Sequence, residues 1–531
     1  MYQLRITGGT IVDGTGGRPY PGNVYVDGDR IALISPELLP AEETLDASGL
    51  AVSPGFIDVH THSDVTPWCA PGMESYVHQG VTTSINGNCG GSLVPHRPEH
   101  HDACARDRSS TKYGRVFGGE DYKAMDVGSY LEEVNGKAAL NNGMLVGHGQ
   151  LRKMCMADPL RTLPTPEEME SMRQVLRENL KQGAFGLSLG LIYLPGTYAR
   201  TEELIELAKV VAEFDALVTV HMRNESSKVF EALEEMAEVA RASGARVEIS
   251  HLKIGGWPGH GDELLERMDR YKAEGLRFTY DQYPYAASST GLSVLIPKEL
   301  KQRPSAEVLA MLKDDEQFDR LVRPALEAGF KIRSPKQVLI AYTRDKLPEC
   351  DGKDIGEISE MWQVTPSDAI RRLLIDCNMN VQTIFFSMDP ADCEKIARRM
   401  DVSVISDSTA FDFLSRKVPG KPHPRNFGTF VRFLRLARER NLLPLEKAVR
   451  KMTGLPAEVF GIPERGLLKE GYFADITVFD PETVSDNGDY LHPDELATGI
   501  RAVFVNGVKA FENGKPTGSR SGRGLARPLS D

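Results

Sequence analysis

Six side chains of metal-binding type stand where hydrophobic runs stop: His60, His62, Cys89, His221, His251 and Asp407. His60 and His62 close the run Gly55-Phe-Ile-Asp-Val-His, and two residues apart on an extended backbone they point to one side. Cys89 follows the next apolar run in Asn86-Gly-Asn-Cys89. His221 ends Leu217-Val-Thr-Val-His, His251 ends Val247-Glu-Ile-Ser-His, and Asp407 ends Val402-Ser-Val-Ile-Ser-Asp. Thiolate and imidazole are ligands that zinc prefers, and three protein ligands with one open position make a catalytic site. Any one of the six reads equally well as a hydrogen-bonded core or mouth residue. Six in matching positions do not.

Such residues can meet only if the strands before them run parallel and end at one mouth, as in a barrel. From Ala51 onward, strand-length apolar runs alternate with amphipathic helical stretches, which predicts βα units. The candidate strands are 52–60, 81–86, 143–148, 185–189, 217–221, 246–251, 277–283, 383–387 and 402–406. Nine candidates for eight positions leave one in excess. Helices are predicted over 201–214, with an N-cap at Thr201, and over 229–241. Two segments break the alternation. Residues 95–125 read as a surface loop, and 286–350 as an insertion placed to cover the mouth.

Both ends of the chain are strand-like. Turns are expected at Gly8-Gly9, Gly16-Gly17, Asp27-Gly28 and Asn506-Gly507. The expected architecture is an α/β (β/α)8 TIM-type barrel over 55–463. Beside it, segments 1–54 and 464–515 form a small β-sandwich domain, and 516–531 is a mobile tail or late-ordered arm.

Bulk properties narrow the function. A net charge of −12 argues against nucleic acid and against an anionic membrane surface, and says little about a small-molecule partner, since a local cationic pocket can hold an anion within an acidic protein. No apolar run approaches a membrane span, and the N-terminus lacks the pattern of a signal peptide. Seven irregularly spaced cysteines fit reduced thiols, so a cytoplasmic location is expected. No pattern specifies an oligomeric state.

These motifs together resemble the amidohydrolase superfamily, and more narrowly its N-acyl-D-amino-acid deacylases (D-aminoacylases). The resemblance runs along nearly the whole chain. It is carried by Gly8-Gly-Thr-Ile-Val-Asp-Gly-Thr-Gly16, Pro54-Gly-Phe-Ile-Asp-Val-His-Thr-His62-Ser-Asp64 and Gly87-Asn-Cys-Gly90. It continues in 186–196, His221-Met-Arg-Asn-Glu225, Ser250-His-Leu-Lys253, Asp281-Gln-Tyr-Pro-Tyr285 and Pro422-His-Pro-Arg425 through Phe430. Hydantoinases and dihydroorotases usually bridge two metals with a carboxylated lysine after strand 4. The run 185–193 has no lysine, and Cys89 offers the anionic ligand instead.

The resemblance implies a tight zinc site on Cys89, His221 and His251, and a second, weaker site on His60 and His62. It implies a metal-activated water, with Asp407 as general base and then acid. Tyr193 would help stabilise the oxyanion on the acyl carbonyl. Arg425 would bind the substrate carboxylate in bidentate fashion, joined by Lys253, Tyr283 and Ser289. His148 ends another candidate strand and receives no role. The sequence departs from the family at Ile405-Ser-Asp-Ser-Thr409, where a glycine usually follows the acid. The reading therefore leaves open another amide as substrate, such as hydantoin, dihydroorotate or a dipeptide.

Overall fold

The computed structural model describes residues 1–96, 125–301 and 303–529. The expected loop at 95–125 thus lies outside the described residues except at its base, where His96 N–H donates to the Met125 carbonyl at 2.7 Å.

Among the described residues, eight parallel strands form the barrel. They are Phe56–Asp58, Val81–Asn86, Asn141–Met144 continued by Val146–Gly147, Gly186–Gly190, Leu217–His221, Arg246–Ile249, Phe278–Gln282 and Val402–Val404. The last strand returns to the first through a parallel bridge between Thr61 and Ser408. There His62 N–H donates to the Ser408 carbonyl at 2.7 Å, and Asp407 N–H to the His60 carbonyl at 3.0 Å. Strands covered on both faces must be apolar or internally satisfied, which explains why Val81–Asn86 and Leu217–His221 are buried throughout.

Helices Thr201–Glu213 and Val229–Ser243 press Leu204, Leu207, Val211, Leu233, Ala237 and Ala240 into the core behind these strands. Each buried leucine contributes about 1.5–3 kcal/mol. Thr201 does not cap its helix as expected. Its hydroxyl donates to Glu235 at 3.0 Å, and Arg200 takes the N-cap position without a side-chain bond.

The run at 52–60 divides. Ala51–Pro54 pairs antiparallel with Ile476–Phe479 in the terminal sheet, and only Phe56–Asp58 enters the barrel. Gly55 stands between them, where a side chain would collide with Thr82. The surplus barrel candidate was 383–387. Gln382–Phe385 is the middle strand of a separate antiparallel sheet, between Ser288–Gly291 and Val338–Tyr342. A short apolar run looks the same in either setting. This unit has its own core around Leu292, Val308, Phe318, Ile370 and Phe385, so it continues well past residue 350, where the insertion was expected to end.

The terminal segments pair into one nine-stranded sheet. Its far edge folds back, with Ile31 N–H donating to the Tyr472 carbonyl at 2.9 Å, over a core that includes Ile6, Val24, Ile476 and Phe504. Gly8-Gly9 is an irregularity inside strand Tyr2–Ile11, not a turn. The described residues after 516 are docked against the body of the protein. Leu525 N–H donates to the Asn142 carbonyl at 2.8 Å, and Arg523 pairs with Asp29 at 2.6 Å. No helix among the described residues is long and apolar enough to cross a membrane.

Candidate metal centre and active site

Cys89 lies between two sets of ligand atoms. Its Sγ is 3.6 Å from His221 Nδ1, 3.5 Å from His251 Nε2 and 3.3 Å from His60 Nε2. A tetrahedral ion with zinc bond lengths holds sulfur and nitrogen ligands about 3.5 Å apart, so this spacing fits a zinc-type ion. Cys89, His221 and His251 form one group, and His60, His62, Cys89 and Asp407 another, with all ligand atoms in each group within 4.8 Å of one another. The thiol therefore belongs to both groups rather than to the first alone. Burial pushes the Cys89 thiol up, but the His60 charge and bonds to three imidazoles outweigh it and hold the group well below the ordinary thiol range. It is the thiolate that binds metal.

Three of these residues leave their strand ends in the left-handed region: Cys89 at φ 55°, His251 at 38° and Asp407 at 49°. That conformation costs a non-glycine residue about 1–2 kcal/mol, and the surrounding fold sustains it. It turns each side chain off the strand line and into the mouth. Gly190 ends the fourth strand against the Cys89 carbonyl, where any side chain would collide. The fourth strand, which offers no lysine, is packed backbone to backbone against the cysteine loop.

Two carboxylates orient the imidazoles. Glu225 Oε1 is 2.9 Å from His251 Nδ1, and its Oε2 is 3.5 Å from His221 Nε2 and 2.8 Å from Lys253 Nζ. One carboxylate thus faces the outward nitrogen of both histidines whose other nitrogen faces Cys89. Burial raises the Glu225 pKa, but its interactions with His221, Lys253 and His251 outweigh it and hold the carboxyl below its ordinary range. Asp281 accepts from His60 Nδ1 at 3.3 Å and from the His251 backbone N–H. Sequence reading quoted both acids inside motifs and gave them no role. Asp281 carried the same signal as the ligands, since it sits near the end of a barrel strand.

Asp407 bonds on both sides. Its Oδ1 is 3.1 Å from His62 Nε2, and its Oδ2 accepts from Arg425 Nη1 at 2.7 Å. Burial would raise its pKa, yet the Arg425 and His251 charges hold the carboxyl well below its usual range. Tyr193 packs its ring 4.9 Å from that of His221. Desolvation in the cavity, then the Cys89 and Asp407 charges, push its hydroxyl up, so it stays a donor.

A cavity of about 1020 Å³ opens above these groups. It brings together Tyr193, Lys253, Tyr283, Ser289, Asp407 and Arg425, with walls from the inserted unit. Tyr283 lies under both cations, 4.9 Å from the Arg425 guanidinium and 5.7 Å from Lys253 Nζ. Ser289 accepts from Gln382 Nε2 at 2.9 Å. His148 does not face this cavity. It is buried against Glu203 at 2.7 Å, and Glu203 also holds Arg152 at 3.3 Å.

The description "Amidohydrolase family" matches residues 43–333 and 411–511. The D-aminoacylase of Alcaligenes xylosoxydans xylosoxydans is 35% identical over 99% of this chain and 98% of its own. The N-acyl-D-glutamate deacylase of the same organism is also 35% identical, over 99% and 97%. The crystal structure of N-acyl-D-glutamate deacylase from Bordetella bronchiseptica, complexed with zinc and a phosphonate mimic of the tetrahedral intermediate, superposes with a TM-score of 0.81. It is 34% identical and covers 99% of both chains.

Proposed function

Because this chain belongs to the amidohydrolase family, we propose that it hydrolyses the amide bond of N-acyl-D-amino acids, releasing a carboxylate and a free D-amino acid. The observation that carries the reading is the convergence of three imidazole nitrogens on Cys89 Sγ, with Asp407 beside them. We assign the tight zinc site to Cys89, His221 and His251, and a weaker second site to His60 and His62, with Cys89 between the two. The chemistry such an ion supplies when bound is Lewis-acid polarisation of a carbonyl and activation of water.

The protein's own groups do the rest. Asp407 accepts the proton of the attacking water and returns it to the leaving nitrogen, so the amine departs neutral. Tyr193 donates its hydroxyl proton in a hydrogen bond to the developing oxyanion. Arg425 takes the substrate α-carboxylate, with Lys253, Tyr283 and Ser289 around it. When Arg425 turns to that carboxylate it releases Asp407 Oδ2, and the acid regains the basicity its role needs. Glu225 and Asp281 hold the imidazole ligands in orientation. A thiolate ligand needs a reducing compartment, which supports a cytoplasmic location.

The test is a panel of N-acetyl-D- and N-acetyl-L-amino acids beside hydantoin and dihydroorotate, with zinc-loaded protein. Turnover confined to the N-acetyl-D compounds is the expected result. Hydrolysis of only the cyclic amides would reject the substrate assignment.

A further inference from the structure

Relatives named D-aminoacylase and N-acyl-D-glutamate deacylase resemble this chain equally, so overall likeness does not set the substrate's second end. The cavity does carry information on it. Among the described residues, four lysines and arginines line it: Lys253, Arg333, Arg344 and Arg425. Two already face carboxylates, Lys253 to Glu225 at 2.8 Å and Arg425 to Asp407 at 2.7 Å.

Arg333 differs. It is half-buried, and it makes no ion pair with any carboxylate among the described residues. Its guanidinium lies 5.3 Å from the centre of the Phe385 ring and beside Gly256, in the loop after the sixth barrel strand. That loop is tied to the metal centre, since Gly255 N–H donates to the Glu225 carbonyl at 2.7 Å. A partly desolvated arginine without a counter-ion is costly, and burial alone pulls its pKa down. Phe385 offers a cation–π contact of modest strength, which leaves the outer edge of the fork unused. Arg344, from the same inserted unit, adds a second positive charge to this wall and is held by Asn380 at 3.2 Å.

We propose that Arg333 binds a second carboxylate on the substrate, so that the preferred substrates are dianionic N-acyl amino acids. The inference rests on the deacylase reading above. Arg425 holds the α-carboxylate, and the additional one sits either on the amino-acid side chain or at the far end of a dicarboxylic acyl group. Both present the same planar anion to the same planar fork.

Two pairs of isosteric substrates separate the sources. The first is N-acetyl-D-glutamate against N-acetyl-D-glutamine. The second is N-succinyl-D-leucine against N-succinamoyl-D-leucine. Each is read as a ratio of kcat/KM within one preparation, so the fraction of folded enzyme cancels. In wild type at least one acid-to-neutral ratio is expected to exceed unity, and Arg333→Gln to lower it about tenfold or more, mainly through KM. Arg333→Lys, which keeps the charge and loses the fork, should fall between. A drop in the first ratio places the carboxylate on the side chain, and a drop in the second places it on the acyl group. If both ratios survive Arg333→Gln unchanged, the proposal is wrong while the deacylase reading stands. If zinc-loaded wild type hydrolyses none of the four, the deacylase reading itself fails.

Discussion

Arg425 Nη1 lies 2.7 Å from Asp407 Oδ2, so the residue assigned to the substrate and the residue assigned to the proton are joined before any substrate arrives. The two substitutions should therefore separate in kinetics. Asp407→Asn keeps the shape and loses the base, and kcat should fall by roughly 10²–10⁴. Arg425→Ala should act mainly by raising KM for carboxylate-bearing substrates. Steady-state kinetics of both variants check this, and equal effects on kcat and KM in the two would break the assignment.

Cys89 and Glu225 should rank in metal retention. Cys89→Ala removes the atom common to both ligand groups, so bound zinc and turnover should fall together. Glu225→Gln keeps every ligand atom and weakens only the orientation of His221 and His251. Its zinc affinity should drop about 10–100-fold, measured by competition with a chelator. Removing zinc from wild type should abolish turnover, and adding it back should restore it.

The buried triad of His148, Glu203 and Arg152 is structural. All three side chains are fully enclosed. Glu203→Ala leaves an unpaired guanidinium and imidazole in the core, which costs about 3–5 kcal/mol. Urea unfolding of the metal-free protein measures it. A loss of under about 1 kcal/mol would show that water or rearrangement satisfies the pair.

His78 should give the protein part of its acid sensitivity. It is fully buried, and desolvation holds its pKa down to about 4, below the ordinary 6.5. The unfolded chain thus binds the proton more readily than the folded one. The contribution to stability is complete above pH 6.5, falls as pH drops, and is lost by about pH 4. The full difference is worth about 3 kcal/mol. Replacing His78 by Gln should flatten the decline between pH 7 and 5 in urea titrations of metal-free protein.

The candidate metal ligands were legible because they follow apolar runs of strand length, and parallel strands deliver their ends to one place. The barrel was legible for the same reason. The surplus strand at 383–387 was not, because Thr383, Ile384 and Phe385 have the composition of a barrel strand and differ only in their partners. The division at Gly55 was hidden inside one continuous apolar run. Arg333 carried no local signal, since an arginine just past the end of a helix usually lies in solvent.

The sequence alone determined which atoms could bind metal, that they stood at strand ends, and that no lysine followed the fourth strand. Residue types and short-range periodicity are properties of neighbouring positions, and they read directly. Tertiary structure decided that Cys89 lies between two ligand groups, that Glu225 faces both imidazoles, and that Arg333 faces the same cavity as Arg425. Apart from Glu225 and His221, those pairings join residues tens of positions or more apart. They are selected by packing and hydrogen-bond satisfaction over the whole fold, which no local window of residues contains.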